Sequence, residues 1–205
     1  MKYRFFTIFI TFLVFLSVHC HQLIDITKVN PTIAIDLRYA TTNNFTGKKV
    51  YAKDICYIHQ DIAPLLDNIQ KELNQYGLGL KIWDAYRPVE AQQAFWDIVH
   101  DEQYVSHPTK GMRVHLRGVA VDVTLIDLKT GKELPMPTEF DDFSEKAHAN
   151  YTQGISKEAV ENRTKLQAIM LKHGFTSLSS EWWHFNKKDW QEYPVLNTKF
   201  EELAA

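Results

Sequence analysis

Two periodicities alternate along the chain. From Asp61 to Tyr76, the apolar Leu65, Leu66, Ile69 and Leu73 recur at three- and four-residue steps, which winds them onto one helical face. Asp61 stands at the capping position, Pro64 is tolerable in the first turn, and Gly77 follows where a left-handed terminator is wanted. Pro88 opens a second helix whose apolar side is Ala91, Phe95, Ile98 and Val99. Ser156 caps a third, with Val160, Leu166, Ile169 and Met170 inward and Gly174 as terminator. Pro31 to Tyr39 alternates Ile33, Ile35 and Leu37 with smaller or polar residues, the mark of a half-buried strand. Ile24 to Asn30 reads as an edge strand, and Leu78 to Tyr86 as another strand. Val119 to Ile126 is apolar and β-branched enough for a buried one. Phe175 to Leu178 and Trp182 to Phe185 read as neighbouring strands. Tyr39 to Lys49 and residues 101 to 114 have loop composition, and Lys129-Thr-Gly-Lys132 reads as a hairpin turn. No repeat or linker interrupts this order, so the chain reads as one α+β domain.

Composition adjusts that picture at the N-terminus. The 205 residues are 45% hydrophobic and 23% charged, enough for one sizeable core. Met1-Lys-Tyr-Arg4 followed by the apolar Phe5 to Leu16 reads as a signal peptide over residues 1–20, leaving 21–205 as the mature domain. That run is short of the ~20 residues a membrane span requires, so export, to the periplasm, is the expectation. Ser17-Val-His-Cys20 is not a small-x-small cleavage site; a lipid anchor at Cys20 is the alternative, disfavoured by the bulk of His19. Removing Lys2 and Arg4 makes a net charge of −2 more acidic still, poor footing for nucleic-acid binding. Only Cys20 and Cys56 exist, so no internal disulfide staples the mature fold. The sequence leaves the oligomeric state open.

The chemistry concentrates in His115-Leu-Arg-Gly-Val-Ala-Val-Asp122 and Glu181-Trp-Trp-His184. Two imidazoles and a carboxylate suffice for a catalytic zinc with a fourth position left for water. An Asp inside an apolar strand is expensive unless a cation or donor meets it. Glu181 is not needed as a ligand, and a carboxylate beside such a water is a natural general base. In a regular strand, positions 181 and 184 face opposite ways, so Ser179 to Glu181 is expected to be loop or bulge. The alternative is two hydrogen-bonded core histidines with Asp122 as their partner. Arg87, between strand and helix, presents a fork of donors suited to a developing oxyanion. On the residues alone, a salt bridge to Asp84 or Glu90 is the stronger reading.

Six blocks occur together in order: Asp36-Leu-Arg-Tyr-Ala-Thr41, Asn44-Phe-Thr-Gly47, Trp83-Asp-Ala-Tyr-Arg-Pro88, His115-x-Arg-Gly-x-Ala-x-Asp122, Phe140-Asp141 and Glu181-Trp-Trp-His184. In this the chain, from about residue 24 to 196, resembles the D-alanyl-D-alanine dipeptidases. These are zinc enzymes related to the vancomycin-resistance dipeptidase and, more distantly, to D,D-carboxypeptidases and the hedgehog domain. The resemblance implies a central, mainly antiparallel sheet flanked by helices. It implies one Zn2+ per chain on His115, Asp122 and His184, Glu181 as base, and Arg87 as transition-state stabiliser. It also implies that Tyr39 and Asp141 hold the free ammonium of a small dipeptide. Without it, Tyr39 is an ordinary half-buried tyrosine, and Asp141-Asp142 a solvated acidic pair.

One position departs from the family pattern. A Ser usually stands two residues before the first histidine, near the substrate carboxylate; here it is Arg113, and Leu116 replaces a polar residue. Arg113 then either pairs with that carboxylate or points away. Two other functions stay in view. A D,D-carboxypeptidase acting on wall stem peptides would keep zinc and base but lack the ammonium clamp. A zinc-stabilised binding module would have no use for Glu181 and Arg87.

Overall fold

The computed structural model describes residues 22–203, so the signal-peptide and Cys20 readings lie outside the described residues. The elements run β1 (Leu23–Asp25), β2 (Ala34–Ile35), β3 (Tyr57–His59), α1 (Ala63–Asn74), β4 (Leu78–Asp84), α2 (Val89–Trp96), β5 (Ala120–Asp127), α3 (Lys157–Lys172), β6 (Phe175–Leu178) and β7 (Glu181–Lys187). Five strands form one sheet in the order β2-β4-β5-β7-β6, parallel between β2 and β4 and antiparallel elsewhere. β1 and β3 make a separate two-stranded ribbon. This is the α+β arrangement, mainly antiparallel, that the sequence led us to expect.

β5 lies between β4 and β7 and is buried from Ala120 to Ile126, which is why it reads as a continuous apolar run rather than an alternating one. α1 packs against β4 through Leu66, Ile69 and Leu73, and α3 crosses β5, β6 and β7. The end of α3 is tied to α1 by Lys172 to Glu72 at 2.7 Å. Buried Gln70 of α1 accepts the Leu80 amide at 2.9 Å, anchoring the helix to the strand.

Several expectations shift at element ends. The strand expected from Pro31 to Tyr39 pairs only over Ala34–Ile35, and Arg38–Ala40 is a single 3₁₀ turn. The 24–30 segment likewise turns into 3₁₀ after Asp25, whose side chain caps it by accepting Thr27 N–H at 2.9 Å. Asp61 is not the cap of α1: a 3₁₀ turn precedes the helix, and His59 accepts the Asp61 amide. α2 stops at Trp96, leaving Ile98 half-exposed outside the helix. Ser156 caps α3 as expected, accepting Ala159 N–H at 3.1 Å.

The C-terminal segment is a strap across the back of the sheet end. Leu196 N–H donates to Leu116 C=O at 2.9 Å, Tyr86 O–H donates to Thr198 C=O at 2.7 Å, and Phe200 packs edge-on against Tyr51 and Tyr86. Among the described residues no helix is long and apolar enough to cross a membrane.

Candidate metal centre and active site

The site grows from the pairing register. Asp84 on β4, Asp122 on β5 and His184 on β7 are successive partners, Asp84↔Asp122 and Asp122↔His184. Directly opposed residues point to the same side of a sheet, so three polar side chains form one row across its centre. A bulge between Ile82 and Asp84 supplies this register. His115 arrives from a 3₁₀ turn, ended by Gly118 at φ +69. That left-handed turn is open to glycine, and a Cβ there would also stand 2.7 Å from Leu23 Cδ2 and 3.1 Å from the His59 amide nitrogen.

Three donor atoms converge. His115 Nε2 and His184 Nδ1 are 3.1 Å apart, His184 Nδ1 and Asp122 Oδ1 3.0 Å, and His115 Nε2 and Asp122 Oδ2 3.5 Å. Tetrahedral ligands at the usual zinc bond lengths are about 3.3 Å from one another, so this spacing fits that ion. His115 Nδ1 lies 2.7 Å from the Ala85 carbonyl. A carbonyl can only accept, so Nδ1 carries the proton and Nε2 keeps its lone pair for a metal. All three residues are buried and form the one such group among the described residues. The alternative of two core histidines bonded to Asp122 describes the same contacts, but leaves a buried anion among them.

Glu181 begins β7 after a Ser179-Ser180 turn, where the register against β6 shifts. This irregularity is the expected one, and it brings Glu181 Oε2 to 3.9 Å from His184 Nδ1. Burial, opposed by His184, pushes the Glu181 carboxyl up to about 7. Asp122 goes the other way: burial is overcome by His115 and by its hydrogen bonds, which hold it well below the usual carboxylate range.

Arg87 makes the salt bridge to Asp84 and also faces the cavity. Its Nη2 and Nε donate to Asp84 Oδ2 at 2.6 and 3.1 Å, and Nη1 donates to Gln92 Oε1 at 2.9 Å. The guanidinium sits 4.8 Å from the Phe95 ring centroid and 5.5 Å from that of Tyr39. It also lines the cavity, as do His115, Asp122, Glu181 and His184. A salt bridge and a site-facing fork thus coexist in one side chain.

Tyr39 and Asp141 meet across 102 residues, the phenol donating to both carboxylate oxygens at 3.0 and 3.1 Å. Burial pushes the Asp141 carboxyl up to about 7 despite that bond. The backbone at Asp141 is left-handed, φ 60, which aims it into the cavity; Asp142 instead accepts the Ser144 amide. Arg113 also has φ 47, lines the cavity, makes no ion pair among the described residues, and has a buried Nε without a partner. Leu116 is fully buried and contributes to the cavity wall.

The cavity holds about 440 Å³, with Phe45, Phe143 and Trp183 among its aromatic walls. Trp183 was open between pocket wall and packing under the sheet, and it lines the cavity; sequence reasoning passed over Phe45 and Phe143, and over Tyr51 and Gln92, which hold Asp84 and Arg87 in place. Gln92 carried a signal, since it is one helical turn beyond Pro88; Tyr51 carried none.

A family model described as D-ala-D-ala dipeptidase matches residues 19–204. The D-alanyl-D-alanine dipeptidase of Escherichia coli is 40% identical over 179 residues, covering 87% of this chain and 91% of that protein. The Enterococcus faecium protein of the same name is 34% identical over 178 residues, covering 78% and 87%. A solved structure of VanYB in complex with D-alanine-D-alanine superposes with a TM-score of 0.44 at 17% identity, over 69% of this chain and 77% of that one.

Proposed function

The chain belongs to the D-ala-D-ala dipeptidase family, and on that premise we propose how its residues share the hydrolysis of D-alanyl-D-alanine to two D-alanines. It is a zinc metallopeptidase. When bound by His115, Asp122 and His184, zinc supplies Lewis acidity to water and to the scissile carbonyl. Glu181 accepts the proton of the attacking water and returns one to the departing nitrogen. Burial raises its pKa, and a dication held beside it would favour the carboxylate, the form that takes a proton from water at neutral pH. Arg87 spends three of its N–H groups on Asp84 and Gln92; the remaining donors are for the carbonyl oxygen as it gains charge.

Asp141 and Tyr39 take the substrate ammonium. A cation there replaces the proton that burial otherwise keeps on Asp141. This pair favours a free dipeptide over a long stem peptide, whose chain would have to continue through the same place. Arg113, unpaired among the described residues, takes the substrate carboxylate. The convergence of three ligand atoms with Glu181 beside them carries the whole assignment.

The decisive experiment measures zinc content and release of D-alanine from D-Ala-D-Ala in wild type and Glu181→Gln. Wild type turns over with one zinc per chain; the variant keeps its zinc and loses at least about 10³-fold, the scale of general-base catalysis. A variant as active as wild type would remove Glu181 as base.

The basic start and apolar run of residues 1–20 support export to the periplasm and a role in wall-peptide turnover. Fractionation of the tagged protein tests this, a cytoplasmic mature chain counting against it.

A further inference from the structure

Asp84 is completely buried, yet its carboxylate does not touch the three ligand atoms. Its Oδ1 accepts Tyr51 O–H at 2.5 Å and Ala85 N–H at 2.9 Å. Its Oδ2 accepts two Arg87 N–H groups and lies 3.6 Å from His115 Nδ1. The backbone of Ala85 is therefore held on both sides: its N–H by Asp84, its C=O by the His115 imidazole, whose Nε2 would face a metal.

We propose that Asp84 is a positioning residue that fixes the Arg87 guanidinium and the His115 ring in one frame, so that guanidinium and metal address the same carbonyl oxygen. This rests on the reading of Arg87 as oxyanion donor. Three observations carry it. Asp84 takes the bidentate edge of Arg87 while Gln92 takes Nη1, which leaves the guanidinium no rotation about its own axis. Asp84 and Asp122 face each other in register, an arrangement that repels unless each carboxylate has its own cation. Arg87 serves Asp84, and a metal held by Asp122 would serve the other. Finally, a buried ion pair is a poor source of net stability compared with apolar packing, so stability alone does not account for a charge at this position.

A double-mutant cycle on D-Ala-D-Ala hydrolysis tests it, using Asp84→Asn, Arg87→Ala and the double variant, with zinc content and thermal midpoint measured for each. Asn keeps the shape but opposes an amide N–H₂ to the guanidinium. Asp84→Asn is expected to lower kcat by about 10²-fold, the cost of a misplacement near 1 Å, and to move KM by less than about threefold with zinc retained. In the Arg87→Ala background the same change should add less than about threefold. Losses that multiply in the double variant overturn the positioning role, even where Arg87→Ala alone is damaging. An Arg87→Ala enzyme as active as wild type instead removes the underlying reading of Arg87. Asp84→Glu covers the case in which Asn does not fold. It keeps the charge but shifts it by a methylene, so thermal midpoint and zinc content should recover while kcat stays low. Full recovery of kcat in Asp84→Glu would show that Asp84 only neutralises charge.

Discussion

Asp122 and His184 are register partners on adjacent strands, with His184 Nδ1 3.0 Å from Asp122 Oδ1. A backbone pairing thus fixes one edge of the ligand triangle, and the metal should in turn clamp the pairing. Zinc added to the stripped protein is expected to raise the thermal midpoint, by about 2.7 kcal/mol of stability at a hundredfold excess over Kd. Asp122→Asn should bind zinc far more weakly and lose that increment. A midpoint indifferent to zinc in wild type would count against the centre.

Asp141 sets a pH dependence of known sign. Its carboxyl ionises near the ordinary aspartate value of 3.8 in the unfolded chain and at about 7 in the fold. The folded form holds the extra proton, so this group costs stability progressively as pH rises from about 4 to 7, and by a constant amount above that. Asp141→Asn keeps an acceptor for Tyr39 and removes the ionisation. Its thermal midpoint should draw ahead of wild type across that window, by at most about 4 kcal/mol at 1.36 kcal/mol per unit. A difference that does not change between pH 4 and 7.5 would contradict this.

Arg113 holds a left-handed backbone, φ 47, which disfavours any side chain with a Cβ by about 1–2 kcal/mol. Arg113→Gly relieves that strain and should leave stability within about 1 kcal/mol of wild type. The KM for D-Ala-D-Ala should nonetheless rise roughly 10- to 100-fold, the worth of a charge-assisted pair, with little change against the C-terminal amide of the same dipeptide. Equal effects on acid and amide would place the guanidinium elsewhere.

Gly118 ends the turn that carries His115. In Gly118→Ala, the new Cβ must displace Leu23 or the His59 backbone while holding φ +69. A loss of about 1–3 kcal/mol is expected from strain and overpacking together, with weakened zinc retention as the ligand turn shifts. Calorimetry and metal analysis on one preparation check both effects.

Elements built by local pattern were legible in the chain: the α1 stripe, the Ser156 cap and the β5 run all follow from spacing. What spacing could not show was set by distant partners. Alternation over residues 31–39 suggested a full strand. Instead Asp36 and Arg38 pair with each other, and Arg38 reaches Glu133, so the ladder ends after two residues. Asp61 had the chemistry of a cap, but His59 stood one turn earlier with an acceptor already in place. The candidate ligands His115, Asp122 and His184 were readable because histidine and aspartate are costly in apolar runs. The left-handed backbones of Arg113 and Asp141, which aim them inward, leave no trace in composition.

The row of register partners across β4, β5 and β7 also orders events during folding. Ligand atoms brought together from 62 and 69 residues apart cannot be collected by a nascent loop. The central hairpinless pairings, slow to form because their contacts are remote in sequence, must close before an ion finds its cage. On refolding, zinc capture is therefore expected to follow the docking of β7 on β5, and a capture rate that outpaces that docking would contradict this order.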